Sequence, residues 1–131
     1  MSKPNPTNLR YTKEHEWLKI EGEIGTVGIT DHAQELLTDI VFVELPEIGK
    51  QAVQMKQLAV VESVKSVSDV FAPVSGEVTE VNNQLEDKPE LVNQDAFGQG
   101  WLAKIKIKDA NEVNGLMTSV QYEEYLKTQA H

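Results

Sequence analysis

At 131 residues, with 40% hydrophobic residues and no cysteine, the chain is sized for one domain with a single core. Disulfide scaffolding, thiol nucleophiles and thiolate metal sites are excluded. The formal net charge is −9, from 12 Lys and Arg against 21 Asp and Glu, which argues against nucleic acid and anionic membranes as partners and suits docking onto basic clefts of larger proteins. Met1 to Asn8 is polar, carries two prolines and reads as a loose tail ahead of a single domain over residues 9–131. It has neither an apolar signal core nor an Arg-rich amphipathic pattern, and no later stretch approaches membrane-spanning length. The expected setting is a bacterial cytoplasm, or a mitochondrial matrix for a mature eukaryotic form.

Tyr11 to Ile20 reads as an opening strand, Glu21-Gly22-Glu23 as a turn and Ile24 to Ile29 as a second strand. Thr30 is placed to cap a short helix over Asp31 to Leu37, with Asp31 at the favourable end of its dipole. Ile40 to Leu45 is apolar on both faces, as expected of a strand inside a sandwich rather than on its edge. Leu58 to Val61 and Val67 to Phe71 are rich in β-branched residues and read as strands, with Glu62 to Ser66 as the tight connection between them. This hairpin places Lys65 at or beside its tip, with the amine in water. Around it the chain is roughly mirrored: Leu45-Pro46-Glu47-Ile48-Gly49 stands upstream and Ala72-Pro73-Val74-Ser75-Gly76 downstream, so one turn type is used twice.

Beyond Gly76, Val78 to Val81 alternates as a half-buried strand, and Asn82 to Pro89 is polar and loop-like. Glu90 to Asn93 is a short element, followed by a turn-rich connection to Gly100. Trp101 to Ile107 is a strand with Ala103, Ile105 and Ile107 on one face and lysines on the other. Asp109 to Met117 is expected to be a short helix, with Asp109 and Glu112 at capping-box spacing. Thr118 and Gln121 repeat that spacing ahead of a final helix, Ser119 to Lys127, with Val120, Tyr125 and Leu126 as candidates to pack on the sheet. Many short strands with frequent turns and a helical tail define a mostly-β sandwich or flattened barrel of two antiparallel sheets with short peripheral helices.

Glu62-Ser63-Val64-Lys65-Ser66, with Gly49 sixteen residues before the lysine and Gly76 eleven after it, resembles a lipoyl-attachment motif. Among lipoyl carriers the chain is most similar to the H-protein family of the glycine cleavage system. The resemblance runs from about Leu9 to Leu126 and includes His15-Glu16-Trp17, Val27 to Gln34, Val41 to Pro46, Val60 to Lys65, Pro73 to Val78, Pro89 to Asn93 and Gly100-Trp101-Leu102. Ser66 stands where the family usually has Ala, and Ala96-Phe97 where it often has Pro-Tyr; neither removes an attachment group.

The resemblance implies a lipoyl/biotinyl-like sandwich and a carrier rather than a catalyst. Lipoate, attached as N6-lipoyl-lysine at Lys65, would take an aminomethyl group of glycine from the pyridoxal-phosphate decarboxylase (P protein) to the tetrahydrofolate-dependent aminomethyltransferase (T protein). Dihydrolipoamide dehydrogenase (L protein) would reoxidise the dithiol, and a lipoate ligase or lipoyl/octanoyl transferase would install it. Glu62 and Ser63 would help that modifying enzyme recognise the tip. Glu16 and Asp69 would line the cleft for the loaded arm, a carboxylate being able to accept a charge-assisted hydrogen bond from an amine. Gly49 and Gly76 are the structural turns. A lipoate-relay protein and a lipoyl domain of another complex share the motif; the second is disfavoured because the chain ends after one domain with no linker.

The remaining chemistry-bearing residues are weaker signals. His15 and His32 lie in separate segments without ligand spacing, and His131 is terminal. Met55-Lys56 imitates a biotin-carrier tip, but Gln57 follows it and it lies outside the mirrored frame. No phosphate loop and no Ser-His-Asp set is present, so a small hydrolase or metal enzyme has nothing to stand on.

Overall fold

The computed structural model describes residues 4–129; Met1 to Lys3 of the expected tail, and His131, lie outside them. Two antiparallel sheets form a sandwich-like fold, as the alternation and turn frequency require. The larger has the strand order β1-β2-β3-β9-β8-β5, built from β1 (Arg10–Tyr11), β2 (Glu16–Glu21), β3 (Ile24–Ile29), β9 (Ala103–Ile107), β8 (Gly76–Val81) and β5 (Gln51–Ala52). The smaller has the order β4-β6-β7, from β4 (Ile40–Glu44), β6 (Gln57–Ser63) and β7 (Val67–Phe71). Four helices, α1 (Asp31–Leu37), α2 (Gln84–Asp87), α3 (Leu91–Gln94) and α4 (Ser119–Gln129), and a 3-10 helix over Ala110–Gly115 lie around the sheets.

The inward faces meet in two apolar clusters. Leu18, Val27, Leu58, Val74, Val78 and Ile105 fill one, and Ile29, Ile40, Val61, Val70, Leu85, Val92 and Leu102 the other. The second lies beneath β6 and β7, so the hairpin that presents Lys65 has a packed floor. A third cluster, Leu9, Tyr11, Trp17 and Tyr122, fastens α4 and the N-terminal segment to β2.

Several expectations need correction. Tyr11 to Ile20 is not one strand: the chain turns back between β1 and β2, pairing Arg10 with Leu18, and His15 takes the turn at φ 73°. Ile40 to Leu45 is an edge strand, and its double-sided apolarity reflects outward Val41 and Phe42, not a second covering sheet. The polar stretch after β8 contains α2, held by buried Leu85. Asp109 to Met117 is a 3-10 turn rather than an α-helix. Asp109 caps it through Asn111 N–H, but Glu112 reaches across to Ser75 instead of back to the cap. On α4, Val120 is 68% exposed and Tyr122 is the buried anchor, with Tyr125 and Leu126 packed beside it. The Thr30 cap and the Thr118–Gln121 capping box form as their spacing requires.

The two Pro-x-x-Gly turns lie side by side, since β5 pairs with β8 and Gly49 N–H donates to Val78 C=O at 2.8 Å. They are not equivalent. Gly49 (φ 96°) faces open space, whereas a Cβ on Gly76 (φ 153°) would stand 2.0 Å from the Lys106 carbonyl oxygen. Backbone conformation alone disfavours a side chain at Gly49; a collision with β9 is added at Gly76. Gly76→Ala is expected to cost more than about 3 kcal/mol and Gly49→Ala about 1–2 kcal/mol, an order that urea unfolding of the two variants checks.

Candidate functional site

Lys65 is exposed on the turn between β6 and β7. The turn is tight because one hydroxyl organises it: Ser63 Oγ accepts from Lys65 N–H at 3.3 Å and from Ser66 N–H at 3.1 Å. Ser63 N–H closes the hairpin on Ser66 C=O at 2.8 Å, and Val64 N–H donates to Asp39 C=O at 3.0 Å, which ties the tip to the segment before β4. Ser63 is itself buried, so its hydroxyl shapes the turn from inside. Glu62 is half-buried on the outer face, between Phe42 on β4 and Val67 on β7.

β7 is the outer strand of its sheet. Ser66 and Ala72 hydrogen-bond towards the β6 side. By the alternation of an antiparallel ladder, Val67, Asp69 and Phe71 therefore turn their backbone groups to the open edge. Glu16, on β2 of the other sheet, meets that edge: its carboxylate accepts from Phe71 N–H at 3.0 Å. The other oxygen accepts from the Thr12 hydroxyl, which in turn accepts from Glu16 N–H at 3.1 Å. Glu16 is 1% exposed, and burial pushes its carboxyl up to about 7 despite the hydrogen bonds from Thr12 and Phe71 that favour the charged form. Asp69, two residues back along β7, is exposed and accepts from Gln57 Nε2 at 2.8 Å. Both expected carboxylates thus address one stretch of β7, one from beneath its edge and one from its outer face.

The contacts behind Glu16, and Tyr122 among them, escaped the sequence. Tyr122 is fully buried, with its hydroxyl 2.8 Å from His15 Nδ1 and 2.8 Å from Thr30 Oγ1, and its ring stacked on Tyr11 at 4.7 Å. His15 and His32, far apart in sequence, have ring centroids 4.8 Å apart. Burial, and then His32, push the His15 imidazole down to about 4, so it is neutral at neutral pH. Among the described residues no group of three or more His, Asp or Glu side chains is placed to hold a metal ion. Tyr122 is 107 residues from its histidine partner, and no local pattern announces such a contact. Only its place one turn into the terminal helix could have marked it. A cleft of about 480 Å³, lined by Thr12, Gln54, Met55, Glu112 and Met117 among others, opens at the end of β6–β7 away from Lys65.

A sandwich that holds Lys65 exposed on a tightly bonded hairpin is an arrangement able to present that amine to other proteins. Comparison with known proteins names the class more closely. A family model for the glycine cleavage H-protein matches residues 9–129. A glycine cleavage system H protein of Alteromonas mediterranea is 57% identical over 119 residues, covering 90% of this chain and 92% of that one. One of Beijerinckia indica is 56% identical over 119 residues, covering 91% and 96%. The crystal structure of a glycine cleavage system H protein from Mycobacterium marinum superposes with a TM-score of 0.84 at 37% identity, covering 97% of this chain and all of that one. The chain belongs to the glycine cleavage H-protein family. Its function is that family's lipoyl-carrier role in glycine cleavage, as a component that works with the other members of the system and is not itself a catalyst. No helix among the described residues is long and apolar enough to cross a membrane.

The buried groups set two expectations. Between its ordinary 4.5 and about 7, folded Glu16 keeps a proton that the unfolded chain has lost, so stability falls as pH rises through that window, by about 3 kcal/mol at most. His15 opposes this: between about 4 and 6.5 the unfolded chain holds the extra proton, and stability rises with pH. In Glu16→Gln only the His15 slope remains, so the variant gains on the wild type from about pH 4.5 to 7. Urea unfolding across that range reads the difference, and parallel curves would contradict it. Tyr122→Phe strips His15 and Thr30 of a shared partner and is expected to cost about 1–3 kcal/mol in the same assay.

Proposed function

We propose that Lys65 is the attachment point for lipoate and that the edge of β7 is the track along which the modified side chain lies. The observation that carries this is the pairing of an exposed, rigidly held amine with a strand edge that starts beside it and leads to two carboxylates. Along β7, at roughly 3.3 Å per residue, Asp69 lies about 13 Å from Lys65 and Phe71 about 20 Å. A lipoylated lysine has about twelve bonds between Cα and its sulfurs, or about 14 Å when extended. Its end therefore falls beside Asp69, about 6 Å short of the backbone amide that Glu16 holds.

When bound, lipoate supplies a disulfide–dithiol pair that takes up an aminomethyl group and gives it up again. The chain's own residues do the rest. Ser63 holds the tip in one shape, so a lipoate ligase or lipoyl/octanoyl transferase meets a constant surface with Glu62 beside the amine. Asp69 offers an exposed carboxylate to a carried amine. Glu16 lies beneath as a buried acid that a nearby ammonium would draw into its charged form, reached once the Thr12 hydroxyl turns aside. Keeping water from that amine is the value of placing it against the sandwich. The partners in this reading are the pyridoxal-phosphate glycine decarboxylase, the aminomethyltransferase and dihydrolipoamide dehydrogenase, and the setting is the cytoplasm of a bacterium.

Intact mass of protein from its native host, with peptide mapping, tests the attachment. A lipoyl increment on the peptide containing Lys65 is expected, and Lys65→Arg should abolish it while the unfolding curve stays unchanged. A biotin increment, or an unmodified Lys65 in lipoylation-competent cells, would overturn the assignment.

A further inference from the structure

β7 is the last strand of its sheet, and the backbone groups along its outer edge follow a strict phase. Val67 stands opposite Glu62 in the hairpin, and Asp69 opposite Val60. Ser63 N–H closes on Ser66 C=O, so the next pair, Glu62 with Val67, is of the unbonded kind, and Val60 with Asp69 repeats it. The N–H groups of Val67 and Asp69 therefore point away from β6. Phe71, in the same phase, shows where they lead: its N–H leaves the sheet and meets Glu16 at 3.0 Å. Val67 is 66% exposed, so its donor stands at an open edge beside the hairpin tip.

We propose that the Val67 N–H binds the amide of the acylated Lys65 side chain, whose carbonyl oxygen accepts from it. The reach fits. The amide carbonyl carbon is about six bonds from the Lys65 Cα, or about 7 Å when extended, and Val67 lies no more than about 7 Å along the chain. About six further bonds lead to the sulfurs and cover about another 7 Å, the rise of two strand residues. An amide held at Val67 thus delivers the sulfur end to Asp69 instead of leaving it to sweep around the tip. The chemistry fits as well. An unmodified lysine ends in an ammonium with three donors and no acceptor, and offers nothing to an N–H. Acylation replaces it with a neutral amide that carries an acceptor. A trans amide points its carbonyl and its own N–H in opposite directions, so a carbonyl turned to β7 leaves that N–H in water. The bond therefore reads the modification itself, and any straight acyl chain joined to Lys65 through an amide would make it. The inference rests on the reading of Lys65 as the lipoyl site and gives the track along β7 a fixed starting point.

The test is amide hydrogen exchange, followed by NMR on the full chain in three forms: unmodified, octanoylated and lipoylated at Lys65, each verified by intact mass and peptide mapping. The Val67 N–H is expected to exchange about three- to tenfold more slowly in both acylated forms than in the unmodified one. The Asp69 N–H, in the same phase but beyond the amide, should exchange at nearly the same rate in all three. Val67→Ala keeps the backbone donor and should keep the slowing. Slowing in the lipoylated form alone would mean that the ring end holds the arm. Equal slowing at Asp69 would mean that the arm merely covers the edge, and its loss in Val67→Ala that the contact is with the side chain. Each of these results, like an unchanged rate at Val67, overturns the proposal. The two readings fail separately: a Lys65 left unmodified in lipoylation-competent cells sinks the attachment, whereas an acylated Lys65 with Val67 exchanging as before sinks only the pairing.

Discussion

Glu16 is a carboxylate taken almost wholly out of water at the seam between two sheets, and it stays there because two donors meet it. Burying such a group without partners costs several kcal/mol. Here the Thr12 hydroxyl and the Phe71 amide offset part of that, with burial still prevailing, and the Phe71 bond joins β2 of the larger sheet to the edge of β7 in the smaller. This bond pins the Phe71 end of the edge that runs back to Lys65. The backing is equally specific: His15, its chain neighbour, turns at positive φ and is held by Tyr122, which is stacked on Tyr11 and bonded to the Thr30 that caps α1. One buried acid is thus fixed by groups from the N-terminal turn, the first helix and the last.

What the sequence revealed and what it hid divide along physical lines. Local rules were legible wherever a short-range preference decided the outcome. The β-branched runs of β6 and β7, the alternation of β9, the Thr30 cap and the Thr118–Gln121 box each depend on residues a few positions apart. The hairpin around Lys65 followed from the same kind of signal. Contacts between distant segments were not legible. Glu112 at capping-box spacing bonds Ser75 because the 3-10 turn packs there, a tertiary contact that overrides a local one. Val120 and Tyr122 are both plausible anchors of α4 by composition, and only the stacked partner Tyr11 decides between them. β4 misled for a related reason: apolar residues on both faces mark a covered strand when the cover belongs to the same chain, and here the outer face has none among the described residues.

The candidate site divides in the same way. The place of Lys65 at a hairpin tip was legible because turns are written in consecutive residues, while its role as an attachment point came through resemblance. Glu16 and Asp69 came only through resemblance, since nothing in His15-Glu16-Trp17 or Ser68-Asp69-Val70 says that the two strands meet. Thr12, which sets the environment of Glu16, was silent altogether: a threonine in a turn has many uses, and this one is defined by a side chain four residues on that points inward only after β2 has paired with β3.

The bonds made by Ser63 also bear on how fast the carrier meets its enzymes. With the turn tied at both ends, the hairpin adds little play of its own, and the freely rotating bonds are those beyond the Lys65 Cα. If Lys65 carries the group as proposed, then whenever the arm leaves the β7 edge it is confined to a hemisphere about 14 Å in radius, a local concentration on the order of 0.1 M at any site docked against the tip. A looser hairpin would enlarge that volume as the cube of its reach and dilute the group accordingly. The single hydroxyl at position 63 therefore acts as a volume restriction on encounter, and a stiff turn delivers its cargo more often than a supple one.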